Sequence, residues 1–288
     1  MTTKPSRIID PHIHLWDPER VDWYPYLSGG KPEHAQAMAR MNRRFDAATY
    51  RAESAGWNVE QVVNVAAATG GHSVDETLAL DALAEAEGFP HAIVGGLPPT
   101  DTVDEAIALL DRQLASPRFR GVRLMGPGAG PLPSPEVLRA LADRGLVLDL
   151  MAHPDQLLPA AAGLAGFDDL VVAVEHCGWP RSDAADERRL WDEGMVALAA
   201  LGDHVVCKLS GLTMPFRTMR PDVVTPWIER AIDLFGPERA MFASNFPVDS
   251  VGGTFDDLYT TFSTITEALD EPARDHLFAG TAERTYRL

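Results

Sequence analysis

The stretch Arg7-Ile-Ile-Asp-Pro-His-Ile-His-Leu-Trp16 begins with apolar, β-branched residues and ends in His-X-His. Read as a β-strand, it points side chains two apart to one face, so His12 and His14 project together from its C-terminal end. Two neighbouring imidazoles suit a metal ion, or a substrate oxygen that needs a donor or a general base. The same design, an apolar run closed by polar residues, recurs along the chain. One such run ends at Gly121-Val-Arg123, another at Leu148-Asp-Leu-Met-Ala-His153, and a third at Val174-Glu-His176-Cys-Gly-Trp-Pro180. Two more carry Lys208-Leu-Ser210-Gly and Met241-Phe-Ala-Ser-Asn245-Phe-Pro247-Val-Asp249.

Eight apolar runs read as strands: 7–13, 59–67, 91–97, 120–125, 146–152, 170–176, 204–210 and 239–244. Amphipathic segments lie between them at 46–56, 73–88, 102–115, 135–144, 155–166, 187–202, 222–236 and 255–269. Ser73 and Ser134-Pro135 are plausible helix starts, and Gly88, Gly145, Gly202 and Gly236 mark helix ends. A strand followed by a helix, eight times over, predicts a (β/α)₈ TIM-like barrel, and 288 residues accommodate it as one domain spanning 1–288. The rival, a doubly wound open sheet, lacks support because no GXGXXG or GXXXXGK[ST] loop follows a strand; Gly126–Pro133 is glycine-rich but broken by proline. One long insertion, 15–45, carries Trp16, Trp23, Tyr24 and Tyr26 and reads as a lid, a subunit contact or rim filling.

A (β/α)₈ barrel gathers its chemistry at the C-terminal ends of the strands. His12, His14, Arg123, His153, His176, Lys208 and Asn245 all fall there, whereas His34, His72, His91, His204 and His276 lie in loops, at strand starts or on a helix. The 42 acidic residues against 25 basic ones give a net charge of −17, a field that repels phosphate backbones and anionic lipid heads, so neither nucleic acid nor membrane is an expected partner. No run reaches the roughly 18 apolar residues that span a bilayer. The N-terminus lacks a signal-peptide core, so the cytoplasm is the expected compartment. Cys177 and Cys207 form no CXXC pair and read as buried, reduced thiols.

These residues together resemble the amidohydrolase superfamily, and within it the lactonase-like amidohydrolase-2 group that acts on sugar-acid lactones and 2-pyrone-4,6-dicarboxylate. The likeness runs from Ile9-Asp-Pro-His-Ile-His-Leu-Trp-Asp17 through Arg120-Gly-Val-Arg123, Glu175-His-Cys-Gly-Trp-Pro180, Lys208-Leu-Ser-Gly-Leu212 and Met241–Val248 to a closing helix at Leu277–Leu288. It implies an amidohydrolase-type barrel in which His12 and His14 are the first-strand pair and His153 and His176 the histidines of strands five and six. Arg123 would stand near a substrate carboxylate or ring oxygen. Two departures stand out. Asn245 occupies the place of the superfamily's usual aspartate, and a carboxamide neither takes a proton from water nor binds a cation well. Val63-Asn-Val-Ala-Ala67 stands where many relatives read Val-His-Val-Glu-Ala, which removes a second acid.

The resemblance and the residues together point to a hydrolase that opens a small lactone or related cyclic ester, carboxylated ones included, by attack of water at the ring carbonyl. His12, His14, His153, His176 and Asn245 are the expected catalytic set, with His153 or His176 as base. Arg123, Lys208, Asp249 and Trp16 are expected against the substrate, Asp249 also as a replacement acid. His12, His14 and His176 would hold a divalent metal such as zinc if one is used; the lost acids leave metal-independent chemistry as the alternative. Two other functions stay open: decarboxylase, lyase or isomerase action on a small organic acid, and ligand binding without catalysis. A homodimer is a plausible assembly.

Overall fold

A computed structural model describes residues 3–28, 39–126 and 130–288. Eight strands, β1 (Ile8–Ile13), β2 (Val59–Val65), β3 (Ala92–Leu97), β4 (Phe119–Leu124), β5 (Val147–Leu150), β6 (Val172–Val174), β7 (Val205–Leu209) and β8 (Ala240–Phe242), pair in parallel in sequence order. Beyond β8 the chain returns to β1: Ile13 bridges Phe246 in parallel, Asn245 N donates to His12 O at 2.8 Å, and His14 N donates to Phe246 O at 2.8 Å. Eight helices alternate with the strands: α1 (Ala47–Glu53), α2 (Ser73–Glu87), α3 (Val103–Gln113), α4 (Pro135–Asp143), α5 (Pro154–Leu164), α6 (Ala185–Ala199), α7 (Pro221–Phe235) and α8 (Phe255–Ile265). The predicted (β/α)₈ barrel is therefore the observed architecture. Each expected strand is found, and the runs overshoot mainly at their C-terminal ends, where polar residues leave the ladder.

Strands buried on both faces need apolar residues on both. Ile9, Val63, Val65, Val94, Val147, Val206 and Met241 fill the barrel interior, while Ile8, Val62, Ile93, Val122, Leu148 and Phe242 face the helices. A π-helical turn (His276–Gly280) and the last helix, α9 (Thr281–Tyr286), close the bottom, with Ala279, Ala282 and Tyr286 joining the interior cluster.

One irregularity in β1 positions the whole site. Asp10 aligns with Val62 and Ile13 with Asn64, so three steps on β1 face two on β2. That extra residue is a β-bulge. Strict alternation from the inward Ile9 would send Pro11 and Ile13 inward and both histidines out toward the helices. The bulge reverses the parity: Ile13 joins the outer core, and His12 and His14 turn into the barrel. Asp10 fixes it. Its fully buried carboxylate accepts from Ser244 N at 2.8 Å, His12 N at 3.4 Å and Tyr50 Oη at 2.7 Å, tying β1 to the end of β8 and to α1. Burial pushes its pKa up, against the pull of these donors.

The insertion is anchored at both ends by paired bonds between Trp16 and Phe45, each 3.0 Å. Its aromatics divide. Tyr24 donates to buried Glu76 at 3.1 Å and Trp23 stacks on His72, so both pack against the rim, whereas Trp16 and Tyr26 face the mouth of the barrel. Part of this insertion, 29–38, lies outside the described residues.

Asp10→Ala leaves three buried donors unsatisfied, at about 1–3 kcal/mol each. The variant is expected to lose on the order of 3 kcal/mol or more of stability by urea titration, and a loss below about 1 kcal/mol would show that the bulge stands without its clamp.

Candidate active site

From bottom to top, the barrel interior passes from hydrocarbon to a buried ion pair to a polar mouth. Above the apolar floor, Lys208 on β7 reaches across to Asp149 on β5, and both are fully buried. Lys208 Nζ also donates to Pro11 O at 3.0 Å and lies 3.4 Å from His12 Nδ1, while Tyr286 Oη donates to the other Asp149 oxygen at 2.8 Å. Burial raises the Asp149 pKa, and the Lys208 ammonium offsets part of that shift. Lys208 is thus a structural cation beneath the site. The expectation that it touches substrate is corrected, because its ammonium is spent on groups below the mouth.

The layer above holds His12, His14, Arg123, Glu175, His176 and Asn245. His12 Nε2 and His14 Nε2 are 3.3 Å apart, and His14 Nε2 is 3.3 Å from Asn245 Oδ1. His14 Nδ1 faces Val65 O at 2.8 Å, which assigns the proton to Nδ1 and leaves the Nε2 lone pair toward the site. His176 Nδ1 pairs with Ser210 Oγ at 3.0 Å, and its ring lies 4.6 Å from that of His12. Burial, with the Arg123 cation adding to it at each ring and Lys208 at His12 and His176, holds all three imidazole pKa values well below the ordinary 6.5, so the rings are neutral at pH 7.

Glu175 is the residue that the sequence reading passed over. Its carboxylate is fully buried, with Oε1 3.6 Å from His12 Nδ1 and Oε2 3.3 Å from Arg123 Nη1 and 3.7 Å from His176 Nε2. Adjacent strand residues point to opposite faces, which disfavours using both Glu175 and His176. The backbone removes that restriction: His176 and Cys177 adopt φ of 57° and 53°, a left-handed turn that carries the second side chain back over the mouth. Gly211 makes room for it, since a Cβ there would stand 2.4 Å from the His176 ring. A polar pair at the very end of an apolar run, followed by Cys-Gly-Trp-Pro, was the available signal.

The other expected residues are placed as follows. Trp16 lies parallel to His14, with centroids 5.7 Å apart, and lines the mouth. Asp249 is buried behind the site: it accepts from Gly211 N at 2.8 Å, Thr213 Oγ1 at 2.6 Å and Asn245 Nδ2 at 3.2 Å, so it orients Asn245 and does not face a substrate. Burial pushes its pKa up to about 7. His153 caps the start of α5, where its backbone N–H donates to Gln156 Oε1 at 3.0 Å, and its ring lies against Trp179, centroids 5.0 Å apart. Trp179 in turn touches His176 at 5.4 Å, so the expected four-histidine mouth is a three-histidine cluster with His153 across an indole from it. Asn64 donates no ligand; its Oδ1 accepts from Leu15 N at 2.8 Å and stitches β2 to the chain beyond β1.

Among the described residues, His12, Glu175 and His176 bring nitrogen and oxygen ligand atoms within 4.8 Å of one another. Glu175 Oε1 is buried without a hydrogen-bond partner. Two neutral imidazoles and one unsatisfied carboxylate oxygen fit a divalent cation of the zinc type. The cluster thus contains Glu175 in place of His14, which was expected beside His12 and His176 as a metal ligand, and it supplies an acid although 66 and 245 carry none. Arg123 donates to Ala66 O and to Glu175, while its buried Nε has no partner. Above these groups lies a cavity of about 210 Å³.

The sequence matches the Amidohydrolase family over residues 9–288. It is 33% identical to the uncharacterised protein y4mH of Sinorhizobium fredii, over 98% of both chains. It is 28% identical to the L-fucono-1,5-lactonase of Burkholderia ambifaria, over 97% of this chain and 95% of that one. An amidohydrolase of Burkholderia multivorans, crystallised with bound zinc, superposes with a TM-score of 0.82 at 26% identity, over 98% of this chain and all of the other (100%).

Truncating one partner of a buried ion pair leaves the other charge uncompensated, at about 3–5 kcal/mol, whereas replacing both with apolar residues is often neutral. Lys208→Met is accordingly expected to destabilise the protein by that amount, with most of the loss restored in Lys208→Met/Asp149→Leu. Equal stability of the single variant and the native protein, by thermal or urea unfolding, would contradict the structural role.

Proposed function

The chain belongs to the amidohydrolase family, and from that premise we propose that it opens a small lactone or related cyclic ester, with water attacking the ring carbonyl. The observation that carries this reading is the convergence of Arg123, Glu175 and three neutral imidazoles under one small cavity at the C-terminal mouth of the barrel. The likeness to an L-fucono-1,5-lactonase supports it.

In this reading Arg123, which lines the cavity, binds the carbonyl oxygen through its guanidinium and stabilises the negative charge that grows there. His14 acts as general base. Its Nδ1 is committed to Val65 O, so Nε2 accepts the proton of the attacking water. Asn245 is held by Asp249 through Nδ2, which turns its carbonyl to the same point and orients that water. The water oxygen bonds to the carbonyl carbon, the ring C–O bond breaks, and the proton taken by His14 passes to the departing ring oxygen, giving a hydroxy acid. Residues His12, Glu175 and His176 would hold a divalent cation, which when bound supplies Lewis-acid polarisation of the carbonyl and a more acidic water.

The test is a panel of lactones followed by proton release, together with metal analysis of the purified protein. Turnover is expected, and Glu175→Ala should both lower bound metal and cut kcat/KM by at least about 10²-fold. Failure of the metal-replete protein to open any lactone would remove the reading. The pH profile offers a second check. A base works only when deprotonated, and lowering its pKa extends that form to lower pH. The acidic limb of kcat/KM should therefore fall with an apparent pKa below 6.5, not at it.

A further inference from the structure

The cavity over the site is polar at its floor and apolar on its walls. His14, Arg123, His176 and Asn245 face it from below. The walls are built from Met125, Met151, Met214 and Val248, together with aromatic rings. Two of those rings have turned their polar atoms elsewhere. Tyr26 Oη donates to Ala67 O at 2.8 Å, and Trp16 Nε1 donates to Arg43 O at 3.2 Å, so each presents ring carbon to the cavity. Trp179 adds a third ring opposite, in edge contact with His176.

This division has a consequence for what can bind. A sugar lactone carries hydroxyls around its ring, and each one that leaves water needs a partner. Methionine sulfur is a weak acceptor and no donor, and valine offers neither. Among the described residues that line the cavity, the floor groups and at most the indole N–H of Trp179 can pair with a polar substrate atom, and the floor groups are claimed by the reacting ester. Thioether side chains and flat rings instead accommodate hydrocarbon of varied shape.

We infer that the preferred substrate is a lactone whose ring bears an alkyl or aryl body and few or no hydroxyls, seated with its ester on the Arg123–His14 floor and its hydrocarbon against the methionine and aromatic wall. The inference rests on the lactonase reading above and narrows it. It also separates this chain from what the name of its L-fucono-1,5-lactonase relative describes. A hydroxyl forced into such a pocket is discriminated against by about 10²-fold, and several hydroxyls by more.

The experiment measures kcat/KM on dihydrocoumarin and δ-nonalactone against L-fucono-1,5-lactone and D-glucono-1,5-lactone, using metal-replete native protein. A preference of at least 10²-fold for the first pair is expected. Met151→Gln and Met214→Gln, which put an amide on the wall at similar volume, should lower kcat/KM on δ-nonalactone by about tenfold and narrow the gap to the sugar lactones, with unchanged thermal midpoints. Sugar lactones opened as well as the apolar pair, or better, would overturn the substrate inference and leave the lactonase reading standing. No turnover of any of the four would sink the lactonase reading itself, and the inference with it.

Discussion

The bulge at Pro11 and His12, clamped by the Asp10 carboxylate, is the constraint on which the site depends. Alternation along a strand admits no compromise: without an extra residue, His12 and His14 would lie among the outer helices and the mouth would receive Pro11 and Ile13. Asp10 meets the cost of its burial by accepting from three donors on three segments, Ser244 beyond β8, Tyr50 on α1 and its own neighbour His12. The same interaction therefore closes the barrel and aims the first two imidazoles. Closure and catalytic geometry are one arrangement.

Charge is then stacked along the barrel axis in alternating partners. Tyr286 holds Asp149, Asp149 holds Lys208, and Lys208 lies against His12; one level up, Glu175 stands between Arg123 and the His12 and His176 rings. Burial keeps the imidazoles neutral, and the two fixed cations in their surroundings add to it. Neutral imidazoles are ligands and bases, so the electrostatics of the lower layer prepare the chemistry of the upper one. The C-terminal helix contributes to this from the far end of the barrel through Tyr286.

The insertion after β1 completes the site from above. Tyr24 and Tyr26 both bond to the segment beyond β2, to Glu76 and to Ala67 O, and that segment also supplies the carbonyl of Ala66 that holds Arg123. Wall and floor are consequently linked through residues 66–68, where the family resemblance led to the expectation of an acid. Ala66 contributes its backbone where relatives are expected to contribute a side chain, and the anionic role falls to Glu175.

The barrel was legible because its signal is local and repeated. Eight apolar runs with polar C-terminal ends, each followed by an amphipathic segment, can be read residue by residue, and so can the identity of His12, His14, Arg123, His176 and Asn245 as strand-end groups. Which of them meet was not legible. His153, Lys208 and Asp249 carry the same sequence signature as the others, yet the fold sends one behind Trp179, one beneath the site and one behind Asn245. Glu175 shows the converse, an acid whose use depends on a left-handed turn at His176 that strand periodicity does not anticipate. Periodicity along the chain determined the architecture and the candidate groups. Only the tertiary structure decided their direction and neighbours, because a bulge, a left-handed turn and a buried counter-ion act between segments far apart in sequence.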